Sequence, residues 1–365
     1  MTLVFKNFDW PLFAATLLLI AIGLISLWSL SPDIFFTRQA LWAVLGAALL
    51  LAMASIDYRI FRNHGGFILS MLMVGLLLLI LLLMVGPRTR GVASWFRIGS
   101  IAFEPVEFIK IILVLILAKY WSQRHIAVYQ LRHLIISGFY VFIPASLVLL
   151  QPDLGSTIIL FSLWAAMVIF SGIRLRHLVL FFLIFIIAGV LSWSFLLESY
   201  QKDRITSFLD PYRDPHGAGY NSIQAFIAVG SGGLWGKGIG FGTQSHLNFL
   251  PEAETDFIFA AFAEENGLIG TLVLIGLFMF FIIRSLTIGF SAEDNFSKLF
   301  ALGFSALVFF QFLVHSGANL GLMPITGVTL PFVSYGGSSL VTLMTGVGIL
   351  QSIKIHSRSS IMELA

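Results

Sequence analysis

Long uninterrupted apolar runs dominate this chain and leave it few ways to fold. Runs able to cross a hydrocarbon core, about 20 residues each at about 1.5 Å rise, are read at 11–31, 40–56, 66–86, 105–122, 134–151, 154–172, 177–196, 257–290, 298–320 and 331–353. Backbone polar groups inside a bilayer must be satisfied by the protein itself, so these runs are expected as helices. The expected fold is an all-α polytopic membrane protein with ten transmembrane helices in a single domain, 1–365. Charged residues are 11% of the chain and mean hydropathy is +0.96, against about 25% charged in soluble domains, which excludes a globular core with a polar skin. No internal repeat or low-complexity linker is visible. The first apolar run is long and lacks a small-residue cleavage site, so it is expected to remain as an anchor.

Lysine and arginine set the expected orientation. With the N-terminus inside, inner segments hold Lys6, Arg59, Arg62, Lys119, Arg124, Arg132, Arg174, Arg176, Arg284, Lys298, Lys354 and Arg358. The short outer loops hold only Arg38, Arg88, Arg90 and Arg97, so both termini are expected on the cytoplasmic side. The one long connection, 197–256 between the seventh and eighth spans, then lies on the outer face, where a loop of this length is usually functional. A net charge of +3 reflects this inner-surface bias and gives no reason to expect nucleic acid. Without cysteine the chain has neither disulfides nor thiolate metal sites.

The stretch 249–267, FLPEAETDFIFAAFAEENG, gathers five carboxylates: Glu252, Glu254, Asp256, Glu264 and Glu265. Thr255 reads as a helix N-cap, which places Asp256 in the first turn of the eighth span, where the helix dipole favours an acid. Asp256, Ala260, Ala263, Gly267 and Gly270 fall on one helical line, consistent with tight helix packing or with a substrate groove. Glu264 and Glu265 lie deeper, where an ionised group needs a partner or water; they are weaker functional candidates, since a polar helix contact would also explain them. In FEPVEFIKIILV, Pro105 suits a first helical turn, and Glu104, Glu107 and Lys110 follow along one face. A Glu107–Lys110 pair inside the membrane is either functional or a structural tie.

The run AVGSGGLWGKGIGFGTQSHL contains Gly-Lys but not a phosphate-binding Walker pattern, because Ser231 stands where a glycine is required and Gly238 where Ser or Thr is required. It reads as a flexible or closely packed outer loop in which Lys237 is free to meet an anion, while Arg204, Arg213 and His246 either add positive charge or serve as interfacial anchors. The final connection, GANLGLMPITGVTLPFVSYGGSSL, interrupts helix at membrane depth and should line a cavity. RTRGVASWFRIGSIAF suits a segment lying in the outer interface.

These stretches together, with QPDLGS at 151–156, resemble the SEDS family (shape, elongation, division and sporulation), and the glycine-rich run is most similar to its elongation branch. The resemblance covers nearly the whole chain and implies an enzyme of the bacterial inner membrane that polymerises lipid II into glycan strands on the outer face. It implies Asp256 as the catalytic acid, Glu107 and Lys110 as cavity-lining groups, and Asp153, Arg204, Lys237 and Gln244 as further substrate-binding positions. It also implies undecaprenyl-linked glycan and a class B penicillin-binding protein, a transpeptidase, as partners. Two positions depart from the family pattern: Glu104-Pro105-Val106-Glu107 replaces Gln-Pro-Ser-Glu, and Glu254 replaces His before Thr255-Asp256.

The expected chemistry fits these residues. Asp256 takes the proton of an attacking sugar hydroxyl, and a lipid pyrophosphate leaves as a stable anion without a second carboxylic acid. Positive charge from Lys110, Arg204, Lys237 or a divalent cation, Mg²⁺ or Mn²⁺, held by Asp256 and Glu252 would support departure. No tightly bound cofactor is expected. A flippase of the lipid-linked precursor and a scaffold for wall-synthesis enzymes are the rival readings.

Overall fold

A computed structural model describes residues 7–86, 94–98, 101–123, 131–172, 179, 183, 189, 193–194, 199–217 and 219–357. Nine of the expected spans appear among them as helices. In chain order the elements are α1 (Trp10–Leu30), a π-helical turn (Pro32–Phe36) leading into α2 (Thr37–Ser55), the short α3 (Arg59–Asn63) and α4 (Gly65–Val85). A hairpin, β1 (Phe96–Ile98) and β2 (Ile101–Phe103), precedes α5 (Pro105–Ser122), α6 (Leu131–Leu150) and α7 (Leu154–Phe170). The remainder comprises α8 (Ser199–Leu209), α9 (Tyr220–Ser231), α10 (Thr243–His246), α11 (Ile258–Phe290), α12 (Asn295–Asn319) and α13 (Gly337–Ser357). The run expected at 177–196 lies largely outside the described residues.

Local chemistry sets several of the helix starts. Asp9, Asp153 and Asp294 each accept a hydrogen bond from the backbone N–H three residues on, closing the first turns of α1, α7 and α12. Pro105 occupies the first turn of α5, where its missing N–H costs nothing. The hairpin departs from the all-helical expectation; Phe96 pairs with Phe103 and Arg97 with Ala102 just before α5.

α12 and α13 are buried around most of their circumference, whereas α2 and α4 turn Leu41, Val44, Leu77 and Met84 outward. An outer surface of large apolar side chains is what hydrocarbon solvates. Close approach at the centre depends on small residues. A Cβ on Gly348 of α13 would fall 2.7 Å from the Leu50 carbonyl oxygen of α2, and one on Gly303 of α12 would fall 2.5 Å from Met167 Sδ of α7.

The helix directions define two ends. The starts of α5, α7, α11 and α13 meet the ends of α1 and α12 at one end, with Asp256. Arg59, Arg62, Lys119, Arg132, Arg284, Lys298 and Lys354 gather toward the other, basic end. There Asp9, nearly fully buried, receives Arg284 Nε and Nη2 of α11, both at 2.9 Å. Its backbone exchanges two hydrogen bonds with the Gln351 side chain of α13, at 2.8 and 2.9 Å. This knot ties α1, α11 and α13 together. Breaking a buried pair leaves one charge uncompensated, so Arg284→Gln is expected to destabilise the protein by about 2–3 kcal/mol. Thermal unfolding in detergent would measure it, and an unchanged midpoint would count against the knot.

Candidate functional site

Asp256 stands in a chain of turns, 251–257, that ends where α11 begins. Glu252 holds a left-handed conformation at φ 53°, which lets its carbonyl accept the N–H groups of Thr255, Asp256 and Phe257 at 3.1–3.3 Å. The carbonyls of the next residues are claimed from elsewhere: Glu254 O by Tyr335 N at 2.9 Å, Thr255 O by Ser334 Oγ at 2.8 Å and Asp256 O by Asn319 Nδ2 at 3.0 Å. Gln39 of α2 in turn clamps Ser334 O and Gly336 N, each at 3.1 Å. The backbone beneath the Asp256 carboxylate is therefore fixed from α2, α12 and the 320–336 connection.

The expected helix start differs. α11 begins at Ile258, so Asp256 precedes the helix, and Thr255 does not cap it. Asn319 Oδ1 from the end of α12 accepts from Ala260 N at 3.0 Å instead. A cap supplied from 59 residues away leaves no local sequence signal.

The second group lies at the starts of α5 and α7. Lys110 Nζ donates to Glu107 Oε1 at 2.7 Å, with both side chains almost fully buried. Trp95 Nε1 donates to Glu104 Oε2 at 3.1 Å, and Glu104 N donates to Ser338 Oγ at 3.0 Å. Asp153 uses its carboxylate to cap α7 through Ser156 N. Burial pushes the Glu104 carboxyl up to about 8, with Glu107 and Asp153 adding to the rise and Lys110 and Trp95 opposing it. Burial likewise raises Asp153, against the hydrogen bonds from Ser156. Glu104 therefore keeps its proton at neutral pH, and the extra acid relative to the family pattern adds no full charge.

The connection 320–336 separates the two groups. A Cβ on Gly155 of α7 would lie 2.5 Å from Thr326 O, and one on the adjacent Gly327, at φ 76°, would lie 3.8 Å from Asp256 Oδ2. His315 Nδ1 of α12 meets Val328 O at 2.8 Å. Asp256 and the Glu107–Lys110–Asp153 group thus flank one segment of irregular backbone.

Lys237 and Gln244 belong to a different arrangement. Gly267 breaks α11 with φ 65° and ψ −167°, so Leu268 N and Ile269 N cannot reach Glu264 O and Glu265 O. All four groups are taken up by the glycine-rich loop: Lys237 N and Gly238 N donate to Glu264 O and Glu265 O, while Leu268 N and Ile269 N donate to Gly233 O and Leu234 O, at 2.9–3.2 Å. A Cβ on Gly236 would stand 2.1 Å from Glu265 O, so only glycine lets the loop approach.

The two carboxylates complete the attachment. Glu264 accepts from Lys237 Nζ (2.7 Å), Gln244 N (2.9 Å), Ser245 N (3.2 Å), Ser245 Oγ (3.1 Å) and Thr243 Oγ1 (3.3 Å). Glu265 receives Ser29 Oγ at 2.6 Å and Gly240 N at 3.0 Å, with His246 Nε2 at 3.0 Å. Gln244 Oε1 is buried with no partner among the described residues. The sequence places Gly267 on a continuous small-residue line and gives Glu264 and Glu265 only a weak signal; the Glu-Glu-Asn-Gly run inside an apolar span is the one hint of the break. The small-residue line is interrupted at Gly267, and Ala263 packs against Gly232, so its upper part makes a packing surface and no groove.

Arg204 lies on α8. Among the described residues no group of three or more His, Asp or Glu side chains is arranged to hold a metal ion. Asp256 and the exposed Glu252 offer two carboxylates of one turn, a number with which proteins commonly hold Mg²⁺ together with substrate phosphates.

Glu264→Gln should cost about 3 kcal/mol by leaving Lys237 unpaired. Faster proteolysis within 231–246 and a lower unfolding midpoint would report it; unchanged cleavage would refute the attachment. For Glu104, the folded state holds a proton that the unfolded state releases between about 4.5 and 8, so wild-type stability falls as pH rises through that window. Glu104→Gln should flatten this fall, as read by unfolding midpoints at pH 6 and pH 8.5; parallel profiles would contradict it.

Comparison with known proteins places these features in context. A profile described as "Cell cycle protein", of FtsW, RodA and SpoVE, matches residues 9–359. The peptidoglycan glycosyltransferase MrdB of Escherichia coli is 37% identical over 94% of both chains. The stage V sporulation protein E of Bacillus subtilis is 35% identical over 96% of this chain and 98% of its own. A chain solved in a peptidoglycan synthase complex, studied for how polymerization and crosslinking are coordinated, superposes with a TM-score of 0.81 at 31% identity, covering 95% of this chain and 97% of that one. The rod shape determining protein RodA of Thermus thermophilus superposes with a TM-score of 0.72 at 28% identity, covering 96% and 98%.

Proposed function

The chain belongs to the FtsW, RodA and SpoVE family of cell cycle proteins, and from that membership and the site geometry we propose that it is a peptidoglycan glycosyltransferase that polymerises lipid II, with Asp256 as general base. The observation that carries this reading is Asp256 itself. Its own carbonyl and the two before it are held by Asn319, Ser334 and Tyr335, so its carboxylate is presented on a fixed backbone beside the segment that packs against Gly155 at the start of α7. Preorganisation of this kind is what proton transfer in a transition state demands.

The step balances on these groups. A sugar hydroxyl of one glycan attacks the anomeric carbon of another; the new C–O bond forms as the bond to the lipid pyrophosphate breaks. Asp256 receives the hydroxyl proton, and undecaprenyl diphosphate leaves as an anion. Attack from the opposite face inverts an α-linked donor into a β-1,4 bond. Lys110, Lys237 and Arg204 are the cations assigned to the pyrophosphate, Glu107 orients Lys110, Gln244 anchors the Lys237 loop to Glu264, and Asp153 caps the neighbouring α7. A divalent cation, Mg²⁺ or Mn²⁺, would accompany the pyrophosphate, and no step is assigned to it.

The basic end is read as cytoplasmic by the excess of lysine and arginine there, which puts Asp256 at the outer face and both termini inside. The likeness to a chain of a peptidoglycan synthase complex supports a class B penicillin-binding protein as partner.

Purified protein in liposomes with lipid II, with and without the transpeptidase, tests the reading. Asp256→Asn should reduce polymer by about 10²-fold or more. Polymer from Asp256→Asn at the wild-type level, or none from folded wild type with partner and divalent cation, would overturn it.

A further inference from the structure

A cavity of about 300 Å³ opens at the basic end between α4, α5 and α6, at the opposite end of the bundle from Asp256. Lys119, Tyr120, Gln123 and Tyr140 form its polar part. Ile68, Leu69, Ile116 and Ile136 form its apolar part. Among the described residues no aspartate or glutamate lines it. Among the described residues the pocket therefore offers one positive charge, that of Lys119, with no acid beside it, and half of its wall is hydrocarbon.

The donors are specific. Lys119 Nζ gives one hydrogen bond, to Arg62 O at 2.8 Å, of the three that an ammonium can make. The Tyr140 hydroxyl and the Gln123 amide have no hydrogen bond among the described residues, while the Tyr120 hydroxyl meets His133 Nδ1 at 2.9 Å. Gly65, which also lines the cavity, begins the 21-residue α4, and its N-cap His64 makes no capping bond. The first N–H groups of α4 therefore add the positive end of a helix dipole. Gly65 also makes the room, since a Cβ there would lie 3.0 Å from both Cε and Nζ of Lys119.

We infer that this cavity binds the phosphate headgroup of an anionic phospholipid from the leaflet at the basic end. The polar part matches a phosphate, and basic pockets between transmembrane helices at the cytoplasmic side are suited to such headgroups. The apolar part continues onto a surface where Leu69, Ile135 and Phe139 are exposed, which seats an acyl chain that a free phosphate lacks. A zwitterionic headgroup brings an ammonium that meets Lys119 and finds no acid. Neither Asp256 nor the glycosyl transfer enters the inference.

Native mass spectrometry of the full chain, released from detergent in the presence of phosphatidylglycerol, phosphatidylcholine or inorganic phosphate, tests it. Wild type should retain one phosphatidylglycerol in preference to phosphatidylcholine, and Lys119→Met should weaken retention about fivefold, the effect of one lysine at a membrane surface. Tyr140→Phe and Gln123→Leu should weaken it without moving the unfolding midpoint, and they carry the test should Lys119→Met not fold. Equal retention of phosphatidylcholine, retention unchanged in the variants, or displacement of the lipid by millimolar inorganic phosphate would each overturn the inference.

Discussion

Within a membrane, a backbone N–H or C=O that leaves its helix must find another partner, because the surrounding hydrocarbon provides none. The break at Gly267 meets that demand bond for bond. Two donors and two acceptors released from α11 are the ones that Gly233, Leu234, Lys237 and Gly238 take up. The break and the loop consequently define each other. A straight α11 would strand the loop backbone, and a detached loop would strand α11 at depth. Because the same helix starts two residues after Asp256, the exchange also sets the loop's position relative to the turn that holds Asp256.

That dependence explains which features could be read from the chain and which could not. Apolar runs gave nine described spans, because run length follows directly from bilayer thickness. The Glu107–Lys110 pair was visible because both residues share one helix at three-residue spacing. The start of α11 was misplaced by two residues because its cap, Asn319, comes from α12. Glu264 and Glu265 read as costly deep acids since their partners lie about 20 to 236 positions away in sequence. Asp153 and Gln244 came forward only through family resemblance. Their contacts, a cap on α7 and a backbone bond to Glu264, are positioning contacts that no motif spells out.

The electrostatics of the site end follow from pairing. Glu107 and Lys110 neutralise each other, Glu264 balances Lys237, and Glu104 avoids a second negative charge beside Glu107 by staying protonated. Such pairing offsets the buried charge of Glu107 and of Glu264, and each pair is held by other bonds or by burial.

Pairing also ranks the cations available to a pyrophosphate. An anion that takes a lysine from its carboxylate must leave that carboxylate solvated by something else. Glu107 has Lys110 as its hydrogen-bond partner, and both are sealed from solvent, so removing the lysine would isolate a buried acid. Glu264 keeps two backbone N–H groups and two hydroxyls when Lys237 departs, and the Lys237 side chain is 26% exposed. Exchange of partner therefore costs least at Lys237, whose backbone stays fixed through the Glu264 carbonyl while its ammonium moves. The loop that seals the break in α11 thereby also carries a positive charge more readily transferred than that of Lys110.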